Sequence, residues 1–262
     1  MHPPLTGKSI VIIGGTTGIG LSAARALIGA GARVVAVGKD PETTTLAEVM
    51  LGPHAMAFTG DATDPTTAER AISDAVSAFG RFDGLYHIAG GSGRKLGDGP
   101  LHEITDDGWR DTLDLNLTSV MMSNRAAVRE FLRTATKGAI LNMGSVLGWS
   151  PSPRHFSTHA YAAAKAAIIG FSKSIAAHYA TNGIRVNVIA PALVDTPMAR
   201  RATENEEIQR YIRAKQPLDG GRIGQPEDLD GAAVWLLSDA AKFCTGQVLA
   251  IDGGWTVSEG GA

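Results

Sequence analysis

Cysteine is almost missing from this 262-residue chain: Cys244 is the only one. A single thiol closes no internal disulfide, and no Cys/His spacing reads as a zinc site, so no metal is expected. The plain expectation is a reducing, cytoplasmic compartment. Long apolar runs are missing too. The longest are strand-length, far short of the roughly 20 residues a membrane helix needs. Residues 1–9, MHPPLTGKS, carry no apolar core of the kind a signal peptide has. Charge of one sign is also absent. Lys and Arg number 24 against 26 Asp and Glu, for a formal charge of −2. Those charges are scattered, which leaves neither a basic footprint for nucleic acid nor a membrane-surface patch. There is no linker, internal repeat or low-complexity stretch.

Apolar residues make up 44% of the chain and charged residues 19%, a globular profile. The length fits one large α/β domain or two small ones. Short β-branched runs alternate with helical patterns from end to end. Strands are expected at 8–13, 33–37, 55–58, 83–88, 138–143, 184–189 and 246–251. Helices are expected between them, among them one long helix over 106–132. Short Val/Ile-rich strands read as buried on both faces. Strand–helix alternation gives right-handed crossovers and a parallel sheet. The expected fold is therefore a single doubly wound α/β domain over 1–262, with helices on both faces of the sheet.

The first strand runs into GGTTGIG, residues 14–20, with Gly14, Gly18 and Gly20 spaced G-x-x-x-G-x-G. A tight turn, close backbone approach to a pyrophosphate and a free helix N-terminus all suit a dinucleotide there. Glycine-rich turns are common, and a purely structural turn stays open on this feature alone. A second feature is HAYAAAKAAIIGF, residues 159–171, in which Tyr161 and Lys165 stand one helical turn apart and share a face. Taken alone, such a pair reads as helix surface. Its surroundings change that. Alanines let this helix approach the sheet closely, and Ser145 falls just past the end of the fifth strand. Ligands of open parallel sheets bind outside that edge. A Ser, a Tyr and a Lys can therefore converge beside a dinucleotide.

With these motifs in order, the chain resembles the short-chain dehydrogenase/reductase family in its compact, single-domain branch. The likeness runs from Lys8 to about Trp255. It rests on GGTTGIG, GDAT with Asp61, HIAG ending in Gly90, LNL with Asn116, GSVLG with Ser145, YAAAK, NVIAPALVDTP, GRIGQPED and TGQVLAIDGG. The resemblance implies a Rossmann-type, seven-stranded, mostly parallel sheet. It also implies hydride transfer between a nicotinamide cofactor and a carbonyl or secondary-alcohol substrate. In that reading Tyr161 is the general acid/base, and Lys165 with the oxidised nicotinamide lowers its pKa from about 10. Lys165 also binds the nicotinamide ribose, Ser145 holds the reacting oxygen, and Asn116 helps hold a relay water. The cofactor positions implied are Gly14, Thr16, Thr17, Gly18, Ile19, Gly20, Lys39, Asp61, Ala62, Ala89, Gly90, Tyr161, Lys165, Pro191, Val194 and Thr196.

The chain departs from the family pattern at Ile13, His87, Ile88 and Ala192, where threonine, two asparagines and glycine are usual. Gly38 stands where NAD-type members carry an acid, and Lys39 where many NADP-type members carry arginine. NADP(H) is therefore expected over NAD(H), with Asp40 pointing away. The loops at 91–103, 149–159 and 197–220 are expected to set the substrate. Among them Arg154, His155 and His159 are candidate contacts, and a solvated loop is the alternative. The resemblance further implies a homotetramer. A 3-oxoacyl-thioester reductase is one specific alternative, with Arg129, Arg133 and Lys137 as a basic surface for an acidic carrier. A non-catalytic dinucleotide-binding protein on the same fold is another. GSVLG is not the G-x-S-x-G of a serine hydrolase.

Overall fold

A computed structural model describes residues 3–260; the first and last two residues of the expected 1–262 domain lie outside it. Seven strands form one sheet: β1 Ser9–Ile13, β2 Arg33–Gly38, β3 Ala55–Thr59, β4 Gly84–His87, β5 Ala139–Met143, β6 Arg185–Pro191 and β7 Val248–Ile251. Their order is β3-β2-β1-β4-β5-β6-β7. Each adjacent pair is parallel, so the sheet is parallel throughout rather than mostly so.

The helices are α1 Gly18–Gly29, α2 Pro41–Leu51, α3 Pro65–Phe79, α4 Asp106–Leu113, α5 Ser119–Thr134, α6 His159–Tyr179, α7 Arg200–Thr203, α8 Glu206–Lys215 and α9 Asp230–Leu237. Side chains alternate across each strand and feed two cores. Ile10 and Ile12 of β1 pack with Ala24 and Leu27 of α1 and Leu236 of α9. Val11 and Ile13 pack with Ala71 of α3 and Ala127 and Phe131 of α5 on the other face. Burial on both faces explains why the strands read as continuous apolar runs. Ile13, one of the departures, is 2% exposed and belongs to this second core.

The expected single helix over 106–132 is a correction. It divides into α4 and α5 around a π-helical segment, Asp114–Thr118. The helical periodicity continues through the wider turn, which is why the sequence pattern alone shows one helix. Such segments concentrate at functional sites, and this one carries Asn116. The crossover topology places the strand ends, the glycine turn and the N-terminus of α6 on one edge of the sheet. The order reverses between β1 and β4, and that switch point opens the crevice where ligands of such sheets bind.

Candidate active site

The glycine turn is shaped by close approaches. Gly14 has φ +88°, and a Cβ there would lie 2.6 Å from the Ala89 nitrogen. A Cβ on Gly20 would lie 1.8 Å from the Gly14 carbonyl oxygen. At Gly18, φ is +49° and the Thr196 side chain stands 3.2 Å from a Cβ position. The turn after β1 thus meets the segment after β6 and the small pair Ala89–Gly90 after β4. Thr17 is exposed at the N-cap of α1 without a capping hydrogen bond, and Ile19 packs partly against the first core. An exposed helix N-terminus behind glycines that hold no side chain suits a pyrophosphate. The cradle fits a dinucleotide.

Thr16 is buried over Gly38, and a Cβ at Gly38 would fall 2.0 Å from Thr16 Oγ1. An acid at that position has no room. Asp40 turns away, as expected: its carboxylate accepts a hydrogen bond from Thr43 N at 2.8 Å and caps α2. Lys39 is 77% exposed and pairs with Asp61 at 2.7 Å. Asp61 also accepts from Thr63 N and Oγ1 at 2.9 and 2.7 Å. The Lys39 ammonium is the main cause that brings the Asp61 carboxyl down to about 2. Ala62 packs against the second core.

Asn116 is fully buried in the π segment. Its amide donates to the Gly91 and Thr112 carbonyls, both at 2.9 Å, and its oxygen accepts from Gly91 N at 3.1 Å. Gly90 sits between Asn116 and Lys165: its Cβ position lies 2.7 Å from Asn116 Oδ1 and 3.6 Å from Lys165 Nζ. Lys165 is 3% exposed and donates to the Met143 carbonyl at 2.9 Å. Its ammonium stands 5.4 Å from the centre of the Tyr161 ring. Burial lowers the Lys165 pKa to about 8. Ser145, just past the end of β5, is buried and its hydroxyl accepts from Leu147 N at 3.2 Å. The four expected side chains converge.

The expected lowering of the Tyr161 pKa is not found in the protein alone. Burial raises the phenol, and the Ser145 hydroxyl opposes this. The nearby ammonium is directed at Met143 O, and the positive nicotinamide ring belongs to the loaded site.

After β6, Val194 is buried, and Pro191 closes the strand beside Ala192. Asp195 N donates to Gly224 O at 2.8 Å, pinning this segment to the GRIG stretch. Gln216, 2% exposed, clamps it from the other side: Leu193 N donates to its oxygen at 3.0 Å and its amide donates to Leu193 O at 3.2 Å. His87 is 1% exposed between Ser123 (2.7 Å) and Ser119 (3.3 Å). Burial first, then the Lys165 charge, lowers its pKa to about 3. This neutral ring braces the π segment from β4, and Ile88 packs against the first core.

Two further residues escape sequence reasoning. Asp98 is buried and accepts from Ala160 N and Tyr161 N at 3.0 and 2.9 Å. It caps the helix of Tyr161 from 62 residues away, so no local capping pattern reveals it. Arg94 belongs to the same loop. Of the expected substrate contacts, Arg154 is engaged with Glu207 at 2.5 Å.

A family model described as Enoyl-(Acyl carrier protein) reductase matches residues 14–256. The 2,5-dichloro-2,5-cyclohexadiene-1,4-diol dehydrogenase of Sphingobium indicum is 34% identical over 253 residues, covering 96% of this chain and 98% of its own. A solved short-chain type dehydrogenase/reductase from Mycobacterium ulcerans superimposes with a TM-score of 0.88 at 32% identity, over 97% of this chain and 91% of that one. The chain belongs to the short-chain dehydrogenase/reductase family. A second relative of this short-chain dehydrogenase/reductase, the cis-4-hydroxycyclohexanecarboxylate dehydrogenase of Sinomonas cyclohexanicum, is 36% identical over 250 residues, 94% of this chain and 95% of its own. The protein is accordingly an oxidoreductase of CH–OH and C=O groups that uses a nicotinamide cofactor. No helix among the described residues is long and apolar enough to cross a membrane.

Proposed function

We propose that this chain interconverts an alicyclic secondary alcohol and its ketone with NADP(H), using Tyr161 as acid/base. The observation that carries the reading is the convergence of Ser145, Tyr161, Lys165 and Asn116 at the sheet edge beside the glycine cradle. When bound, the nicotinamide supplies or accepts the hydride. Gly14, Thr16, Thr17, Gly18, Ile19 and Gly20 would hold its pyrophosphate end, and Asp61 and Ala62 its adenine. Ala89, Gly90, Lys165, Pro191, Val194 and Thr196 would hold the nicotinamide half. Ser145 donates a hydrogen bond to the substrate oxygen. Tyr161 gives that oxygen its proton on reduction and takes it on oxidation. The buried Lys165 ammonium stabilises the phenolate formed in between, and Asn116 keeps the Gly90–Gly91 backbone in place beside it.

Lys39 supports the NADP(H) preference, since no acid fits at Gly38 and Asp40 caps α2. Its exposed pair with Asp61 is worth about 0–1 kcal/mol and yields readily to a 2′-phosphate. The ring substrates in the names of both relatives support an alicyclic alcohol, as do the partly buried apolar side chains of Phe156 and Leu193 in the segments that follow β5 and β6. The acyl-carrier wording of the matching family model favours a 3-oxoacyl-thioester as second reading. The surface expected for its carrier is mixed in charge, however: Arg129 pairs with Glu69 and Arg133 with Glu130. Exposed Trp235, Phe243 and Val257 support assembly with further copies, by resemblance a tetramer. Single-cysteine composition supports a cytoplasmic location.

The test is Tyr161→Phe with NADP⁺ and a panel of cyclohexanols. Turnover should fall by about 10²–10⁴-fold, with cofactor affinity changed far less. Retained turnover would refute the assignment.

A further inference from the structure

Arg94 and Arg201 reach the same acceptor. Arg94 donates to the His155 carbonyl at 3.3 Å and Arg201 donates to that same oxygen at 3.1 Å. Two guanidiniums are thus held side by side, although like charges repel. Neither forms an ion pair among the described residues. The nearest carboxylate that acts on Arg94 is Asp98, which is already spent on capping α6. Each guanidinium has five donors and shows one of them engaged here.

Their location relates them to the reaction. Arg94 lies three residues after Gly91, which Asn116 clamps, and four before Asp98, which holds the Tyr161 backbone. Arg201 lies five residues after Thr196, which abuts the glycine turn at Gly18. The oxygen they share is on His155, six residues before Tyr161. Aromatic packing fixes that oxygen: His155 packs at a tilt against Tyr211 at 4.8 Å, and Tyr211 and Phe156 both meet Trp255, at 5.8 and 5.9 Å. The Arg201 guanidinium stands 5.9 Å over the Phe156 ring. Arg94 is partly buried, and both burial and the Arg201 charge lower its pKa. An anion between the two arginines removes the repulsion and engages the idle donors.

We infer that Arg94 and Arg201 form an anion subsite at the substrate end of the cleft, and that the substrate carries a carboxylate. This rests on the hydride-transfer reading for the position of the cleft. A carboxylate is planar and takes a guanidinium fork in two parallel hydrogen bonds. Arg154 does not share the His155 carbonyl with the other two and faces Glu207 instead, so it serves as the control.

The experiment is calorimetric titration of the protein saturated with NADP⁺, comparing acids with their amides. The probes are cyclohexanecarboxylate and 3-hydroxybutyrate, each against its primary amide. The acid is expected to bind roughly tenfold or more tightly than the amide, the gain of a charge-assisted pair. Arg94→Gln and Arg201→Gln should each bring the ratio to within about threefold, while Arg154→Gln keeps it. Equal affinities in both matched pairs, no acid binding, or a preference that survives in Arg94→Gln/Arg201→Gln overturns the subsite. Turnover of the neutral alcohol cyclohexanol separates the two ideas. An acid preference without oxidation of any alcohol fails the reaction and keeps the subsite. Oxidation of cyclohexanol without acid preference does the reverse.

Discussion

Lys165 costs the folded protein stability at neutral pH, and that cost is measurable. Burial lowers its pKa from 10.5 to about 8. The unfolded chain therefore binds the proton more tightly than the folded one. Stability rises with pH wherever the unfolded state holds more protons, here between about pH 8 and about pH 10.5. Below that window both states are protonated and the penalty is complete, about 3 kcal/mol for a shift of this size. Raising the pH from about 7 to about 9.5 should return about 2 kcal/mol of it. Other groups titrate over the same range, so the quantity to read is a difference. Urea unfolding of wild type and Lys165→Met, both without added nucleotide, should give curves of stability against pH that converge or cross by that amount. The methionine variant should also lose turnover by about 10²-fold or more. Parallel curves would refute the reasoning, since they would mean that Lys165 is hydrated and that its hydrogen bond to Met143 O is not a dry contact.

His87 should act in the acid range with the same sign. Its folded pKa is about 3 against 6.5 ordinarily, so stability falls as pH drops below the unfolded value. By about pH 5 the wild type should have lost about 2 kcal/mol relative to His87→Asn, read by chemical denaturation. Gly38→Asp should destabilise by about 1–3 kcal/mol through overpacking against Thr16 and weaken both nucleotides. Adding Thr16→Gly should restore folding and turn preference to NADH; a stable, tight-binding single variant would disprove the steric argument. Lys39→Ala should weaken NADPH by about tenfold or more and NADH by less than about twofold in a fluorescence titration, and equal losses would count against NADP(H).

Much of the site is legible in the chain because its parts are local. GGTTGIG shows its turn through glycine spacing, and Gly20 answers to a local neighbour, the Gly14 carbonyl, whereas Gly14 and Gly18 answer to Ala89 and Thr196, which only the fold brings near. Tyr161 and Lys165 share a helix face by spacing alone. The seven strands are legible because a sheet buried on both faces leaves apolar runs. The π segment is not legible, because widening one turn leaves the apolar period almost unchanged. Asp98 and Gln216 are not legible either. Each acts on backbone brought near by the fold, across 62 and 23 residues.

From sequence alone come the parallel α/β sheet and the glycine turn, since hydrophobic period and short-range spacing carry that information; the expectation that Ser145, Tyr161, Lys165 and Asn116 act together comes from the family resemblance. The tertiary structure alone decided which charges remain available. It joined Lys39 to Asp61 and Arg154 to Glu207, turned Asp40 onto α2, and set Arg94 against Arg201 on one carbonyl. A charge counts for recognition only after its nearest partner is known, and those partners meet through loops that pattern does not constrain.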